Sequence, residues 1–395
     1  MTARCTVCDG LALRPLLELG LQPPSNRFLL PEDSGTEERY ALSLGTCDDC
    51  GTVQLVDRMP VEAIRPRFEW LANNEPEGHL DDLAGKLAGL AGIGGETPIV
   101  GVSYKDRSTL ARFARKGFAN VREIARADLA IDERPFGPET IQRRLSDPET
   151  IAGVRRAHGA AGLVLARHII EHAESAARFL AGLHGLLEDG GYAVLEFPDN
   201  ARILRGKGHA FIWEEHFTYF TAGSFRAFAA RAGAQVVRLD RYPYPHEDAV
   251  VAVLRFGASA PAPVPAPVPG ADVLQFARSF AGERARWQAE LARLAASGRR
   301  IAVFGAGHLA VKLVNFMQLA PWVDCVVDDH PAKGGLRMPG SRLPIVPSAA
   351  MAARGIDTCI STLSPESEAR ARPKLADFFA RGGVFMPAFE TPQAA

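Results

Sequence analysis

PIVGVSYKDRSTLARFARKG, residues 98–117, carries the reading on which the fold turns. A short apolar, β-branched run (98–103) leads into a charged turn, and a pattern of helical period (108–117) follows it. The same alternation continues downstream. GLVLAR (162–167), YAVLEF (192–197), AQVVRLD (234–240) and AVVAVLRF (249–256) read as strands, while SAARFLAGLHGLLED (175–189) and SFRAFAARAGA (224–234) read as helices. Strands alternating with helices predict a parallel, doubly wound sheet, so the fold class is α/β.

Beyond this block the composition changes. ASAPAPVPAPVPG (258–270) can form neither helix nor sheet ladder and is expected to run as extended polyproline, a linker that separates two globular halves. A long amphipathic helix is predicted over 273–298. It feeds the strand IAVFGAG (301–307), the helix HLAVKLVNFMQ (308–318) and the strands DCVVDD (324–329) and DTCISTL (357–363), a second unit of Rossmann type. Its G-A-G turn keeps Gly305 and Gly307 of the usual three glycines, so by itself it suits a plain strand-to-helix turn as well as a dinucleotide.

At 395 residues the chain is too long for one ordinary core. Forty-five basic against 46 acidic side chains leave a formal charge of -1, which gives no field to hold nucleic acid or an anionic membrane. Neither partner is expected. No run reaches the length of a membrane span, and MTARCTVCDG lacks the apolar stretch of a signal peptide, so a cytoplasmic protein is expected.

Four of the six cysteines form two Cys-x-x-Cys pairs, Cys5/Cys8 and Cys47/Cys50, each closely followed by glycine (Gly10, Gly51). Each pair can place two thiolates on one side of a tetrahedral ion, with the glycine supplying a positive backbone dihedral. A redox motif needs one pair and usually a helix start, whereas both pairs here lie in turn-rich segments. A structural Zn2+ with four thiolate ligands is therefore expected, with no open coordination position. Cys325 and Cys359 stand singly in apolar runs and are read as core.

The order of zinc knuckle, α/β unit, linker helix and second α/β unit resembles the nucleotide-sugar C-methyltransferases. LGLQPPSNRFL (19–29), ARHIIEH (166–172), LLEDGGYAVLEFPD (186–199), EEHFTYFTAGSFRAF (214–228), GAGHLAVKLVNF (305–316) and VVDDHPAKGGLRMPGSRLPIVP (326–347) carry the resemblance, which covers nearly the whole chain. It implies a zinc-binding domain (1–70), a class I methyltransferase-like domain (71–257), a linker (258–272) and a Rossmann-like sugar-binding domain (273–395). It implies S-adenosylmethionine (SAM) as cofactor and a nucleotide-linked keto sugar or similar small molecule as substrate. The chemistry implied is removal of a proton beside the carbonyl and methylation of the resulting enolate.

On this chain the catalytic candidates are Glu215, His216, Tyr242, Tyr244 and His246: histidines to take a proton, tyrosines to donate to an enolate oxygen. Gly101, Ser103, Asp106, Glu123, Arg167 and His168 are the cofactor-binding candidates. His308, Lys312 and Asn315, spaced on one helix face at a helix N-terminus, are the candidates for holding a diphosphate.

Three departures from the family pattern stand out. Where the family has His-Gly-Gly-Ser, this chain has His246-Glu247-Asp248-Ala249, and its HEH triplet becomes Glu214-Glu215-His216. The acidic, glycine-rich SAM turn is replaced by Gly101-Val102-Ser103-Tyr104-Lys105-Asp106-Arg107-Ser108, in which Lys105 and Arg107 could instead bind phosphate. Two alternatives to methyl transfer stay open: proton transfer without SAM, as in an epimerase, isomerase or lyase, and a non-catalytic carbohydrate-pathway binding protein.

Overall fold

A computed structural model describes residues 4–71, 75–206, 208–257 and 270–389. The first sheet is antiparallel, with β1 (Leu13–Gln22), β2 (Tyr40–Cys47) and β3 (Val53–Asp57) in sequence order. LGLQPPSNRFL thus begins as the end of a long strand.

The second sheet contains β4 (Ile99–Gly101), β5 (Val121–Glu123), β6 (Ala161–Arg167), β7 (Leu187–Asp199), β8 (Ala234–Tyr242) and β9 (Asp248–Phe256), in the order β5-β4-β6-β7-β9-β8. β4 pairs in parallel with β5 and β6, and β6 with β7, while β9 runs antiparallel to both its neighbours. Every residue of β6 is buried, as a parallel strand covered on both faces requires. The helices Arg107–Arg115 and Ala176–Leu186 fall where the sequence predicts them, although the second stops before β7 begins at Leu187. From β4 the chain first goes outward to β5 and then crosses to β6 on the other side. A ligand crevice belongs around that reversal, at the carboxyl ends of β4 and its neighbours β5 and β6.

The third sheet, β10 (Ile301–Phe304), β11 (Val323–Val327), β12 (Ile345–Val346), β13 (Thr358–Ser361) and β14 (Val384–Pro387), is wholly parallel in the order β12-β11-β10-β13-β14. It is the expected Rossmann-like unit, and Cys325 and Cys359 are fully buried in it. Among the described residues no helix is long and apolar enough to cross a membrane.

The expected linker lies mostly outside the described residues, and its last two positions belong to the helix Ala271–Ala296. This helix buries Val273, Phe276, Phe280, Trp287 and Leu291, one stripe at helical spacing. The stripe joins a single apolar cluster that also holds Leu17, Leu42 and Leu55 of the first sheet, Ile203 and Phe217 of the middle unit, and Ile301 and Val311 of the third unit. The halves therefore share a core. Backbone pairing reinforces it, with Leu29 and Arg337 exchanging hydrogen bonds of 3.0 and 2.9 Å.

Removing the Trp287 side chain empties part of this shared core and is expected to cost about 3–5 kcal/mol. Urea unfolding of Trp287→Ala should show one transition shifted as a whole. A selective loss of the C-terminal half would contradict a common core.

Candidate functional site

The cysteine pairs come together at the first sheet. Cys5 and Cys50 Sγ lie 3.5 Å apart, as do Cys8 and Cys47, and all four sulfurs fall within 4.8 Å of one another. Those spacings are far longer than a disulfide and close to the roughly 3.8 Å edge of a sulfur tetrahedron built on Zn–S bonds near 2.3 Å. The four thiolates fit a closed, structural Zn2+ site. Gly51 adopts the expected positive φ of 71°, but in the other knuckle it is Asp9, at 59°, that does so. Gly10 serves space instead, because a Cβ there would collide with Asp49.

At the carboxyl ends of β4 and β5 lies a cleft of about 620 Å³, bordered by Ser103, Tyr104, Arg107, Glu123, Phe136 and Ile141. This is where the fold places a nucleoside cofactor, and Glu123 ends β5 in the position of a ribose-binding acid. The turn achieves its shape without further glycines. Asp106 accepts from the Ser103 amide (3.0 Å) and the Ser103 hydroxyl accepts from the Lys105 amide (3.2 Å), closing a capped 3-10 turn. Gly101 is a packing glycine, since a Cβ would meet Asp106 and Leu110 at 2.6 and 2.8 Å. Asp106 also accepts from the Arg167 amide (3.0 Å), and burial raises its carboxyl to about 7. Thus Gly101, Ser103 and Asp106 shape the turn, while Ser103 and Glu123 border the cleft.

The phosphate alternative for this turn does not survive. Arg107 is paired with Glu123 at 2.5 and 3.0 Å, and Lys105 points away from the cleft onto the partly buried Glu75 at 2.5 Å. Two cations expected to act together have separate carboxylate partners.

Behind the turn lies a dense charged chamber. Glu196, on β7, receives Arg167 at 2.6 and 3.1 Å and His168 at 3.1 Å, and lies 3.3 Å from His79. His168 takes a left-handed φ of 50°, which turns its ring between Glu196, Glu171 (3.3 Å) and Glu75 (3.6 Å). Burial opposes a charged His168 ring, yet Glu75, Glu171 and Glu196 together hold it up at about 10. Burial likewise opposes a charged Glu75, but His168 and Lys105 hold it down at about 2. Arg167 and His168 are tied to carboxylates and do not line the cleft.

The histidines beyond them are neutral. Burial, with cationic neighbours, depresses His216 to about 3 and His308 to about 4, and drives His172 well below its usual value. His308 stacks on Trp213 at 4.4 Å, and His172 meets His216 edge to face at 4.7 Å. Burial, followed by Glu214 and Glu139, raises Glu215 well above the carboxylate range, and its Oε1 accepts from the Asn26 side chain. Glu247, the residue in a family glycine position, is lifted to about 7 by burial and then by Glu75.

Other expected site residues are committed elsewhere. Tyr242 donates to Asp82 (2.8 Å) and faces Lys86, and Tyr244 contacts His79 Nδ1 at 2.8 Å, so both brace the outside of the chamber. His246 sits between Phe211 and Phe389. Lys312 is fully buried against Glu214 (2.5 Å), and the Asn315 amide holds the carbonyls of Val311 and Pro339. Neither offers itself to a diphosphate, although Lys312 on Glu214, like His308 on Trp213, stands at the junction between the middle and third units. Glu75, Glu171, His172 and Glu196 enter the site unpredicted. Glu196 has a readable signal, a carboxylate inside the apolar run YAVLEF, and Glu171 and His172 stand within ARHIIEH.

A sheet with one reversed strand and a crevice at its topological reversal defines a class I methyltransferase fold. Three family models match in succession, described as "Putative zinc binding domain" over residues 5–64, "Methyltransferase domain" over 98–239 and "C-methyltransferase C-terminal domain" over 271–389. The C-methyltransferase NovU of Streptomyces niveus is 24% identical over 360 residues, which span 86% of this chain and 84% of NovU. The three matches follow one another along most of the chain, and it is a methyltransferase. Among solved structures it is similar to the Burkholderia thailandensis 1,6-didemethyltoxoflavin-N1-methyltransferase (14% identity, 46% of this chain and 80% of that one, TM-score 0.31). It is also similar to magnesium protoporphyrin IX methyltransferase of Synechocystis PCC 6803 (10% identity, 47% and 90%, TM-score 0.31).

The chamber's charge pattern is open to test by NMR titration of the histidine rings. Glu75→Gln removes the leading stabiliser of the His168 imidazolium, so that ring should titrate lower by roughly one to three pH units. An unmoved His168 would show that Glu75 does not govern it.

Proposed function

We propose that the protein transfers a methyl group from SAM to a carbon beside the carbonyl of a nucleotide-linked keto sugar. The observation that carries this reading is the placement of Tyr104. It borders the nucleoside-sized cleft on one side, and its hydroxyl feels the charges of Lys105, Glu139, Glu75 and Glu215 on the other. Cofactor cleft and acid-base chamber thus meet across one side chain.

In this reading SAM, when bound, supplies an electrophilic methyl group, and the cleft would hold its adenosine, with Glu123 as the residue to engage the ribose. The nucleotide of the acceptor belongs at the carboxyl end of β10, where a pocket of about 220 Å³ is bordered by Gly305, Asp328, Arg370 and Lys374. Gly305 has φ 98°, and a Cβ there would press on Leu363 and Thr362, so the turn stays open only with glycine. The sugar then extends toward His308, Trp213 and the chamber. Glu247, poised near neutrality, takes the proton, and protonated Glu215 donates to the oxyanion that forms. His216, too weakly basic at about 3 to be the base, positions the acceptor. The three units divide the work accordingly: zinc-held scaffold, methyl transfer and nucleotide capture.

A second reading, proton transfer without SAM, draws support from the Arg107–Glu123 pair, which already engages the acid intended for the ribose. Calorimetric titration separates the two. SAM should bind with measurable heat and raise the melting temperature, and silence at saturating SAM would remove the methyl-transfer reading. Incorporation of deuterium from heavy water into a keto-sugar nucleotide without SAM would then favour the second.

With Glu247 as base, the ionised form is the active one, so kcat/KM should rise with pH and level off above about 7. Glu247→Gln should abolish that limb and lower kcat by about 10²–10⁴-fold, with SAM affinity retained. An unchanged pH profile in the variant would assign the base elsewhere.

A further inference from the structure

We propose that Glu171, His172 and His216 form a second metal site, separate from the cysteine knuckle, which takes one divalent transition-metal ion. One ligand atom from each of the three lies within 4.8 Å of the others. Two imidazoles and one carboxylate are a donor set that holds such ions while leaving coordination positions open.

The hydrogen-bond accounting points independently to a ligand. Glu171 is 1% exposed and His172 2% exposed. Among the described residues, the Oε2 of Glu171 and the Nδ1 of His172 have no hydrogen-bond partner, and the Oε1 of Glu171 has only the 3.3 Å contact with His168. The His172 ring is held edge to face against both Trp213 (5.9 Å) and His216 (4.7 Å). Buried polar groups are otherwise almost always satisfied, and here the unsatisfied ones converge on one point. What they have in common is electron pairs, so the missing partner is a cation or a proton donor.

The surrounding charge permits a cation. Lys105 and His168 are the nearby positive groups, and each is already matched, Lys105 by Glu75 and His168 by Glu75 and Glu196. The present partner of Glu171 is His168 at 3.3 Å, a contact His168 can lose while keeping the other two carboxylates. Ligand atoms around a tetrahedral ion with bonds near 2.0–2.1 Å lie about 3.3 Å apart, so closure requires each pair to approach by at most about 1.5 Å. The ion's role rests on the methyl-transfer reading. Bound here it polarises the acceptor's keto oxygen as a Lewis acid, adding to the hydrogen bond from Glu215.

Cobalt titration of the full-length zinc-loaded protein tests the site, with metal analysis and visible absorption as readouts. Wild type should take up one Co2+ per chain beyond the zinc, with d–d bands and no thiolate-to-metal charge transfer. His172→Ala should weaken that second equivalent by more than about 100-fold and keep the zinc. Glu171→Gln, nearly isosteric, should do the same and serves if His172→Ala does not fold. Wild type that takes up no second ion, or a variant that binds it as tightly as wild type, would overturn the proposal. So would a site that is filled only by a keto-sugar nucleotide, lost on Glu171→Gln with no metal bound in either protein. The metal count is independent of turnover: a second ion in a protein that methylates nothing would sink the methyl-transfer reading and leave this site standing.

Discussion

Glu196 is a carboxylate inside a strand with both neighbours hydrogen-bonded and almost no solvent contact. Such a charge is tolerable only if it is fully paired. Arg167 and His168 perform that pairing from the end of the adjacent strand, and the demand fixes much else. Arg167 is anchored at the same time to the carbonyls of Lys105 and Pro76. Through its amide it also holds Asp106, and through Asp106 the cofactor turn. His168 is turned into a left-handed conformation and meets Glu75 and Glu171. Cofactor turn, strand end and acid-base chamber are thus fixed by one buried anion.

This network explains how a glycine-poor turn keeps its shape. In a glycine-rich turn the backbone is free to approach the ligand because side chains are missing. Here the side chains are present but occupied: Ser103 and Asp106 with each other, Lys105 with Glu75, Arg107 with Glu123. Tyr104 is left uncommitted, and with Ser103 and Arg107 it borders the cleft.

The fold was legible because its signals are local. GLVLAR up to its closing arginine and IAVFGAG throughout are apolar, as strands covered on both faces must be, and both became central parallel strands. The cysteine pairs were legible for the same reason, each being a turn motif complete in itself. The chamber was not. Glu75 lies in a polar stretch without periodicity, and only tertiary folding brings it to His168, so no spacing rule could find it. Lys312 reads as a diphosphate ligand on a helix face, yet Glu214, distant in sequence, draws it into the interior. The sequence pattern assigned Tyr242, Tyr244 and His246 to the centre because of their residue types, whereas β8 and the turn after it carry them to the rim.

The apolar cluster that runs from the first sheet through the helix Ala271–Ala296 into the third unit alters the meaning of the proline-alanine tract. Cohesion between the halves resides in the buried stripe of Phe276, Phe280, Trp287 and Leu291. A peptide tether of that kind acts by raising the local concentration of one half around the other. The two halves therefore have the character of subunits that happen to be translated together, and two separate polypeptides carrying the same surfaces would assemble into the same enzyme.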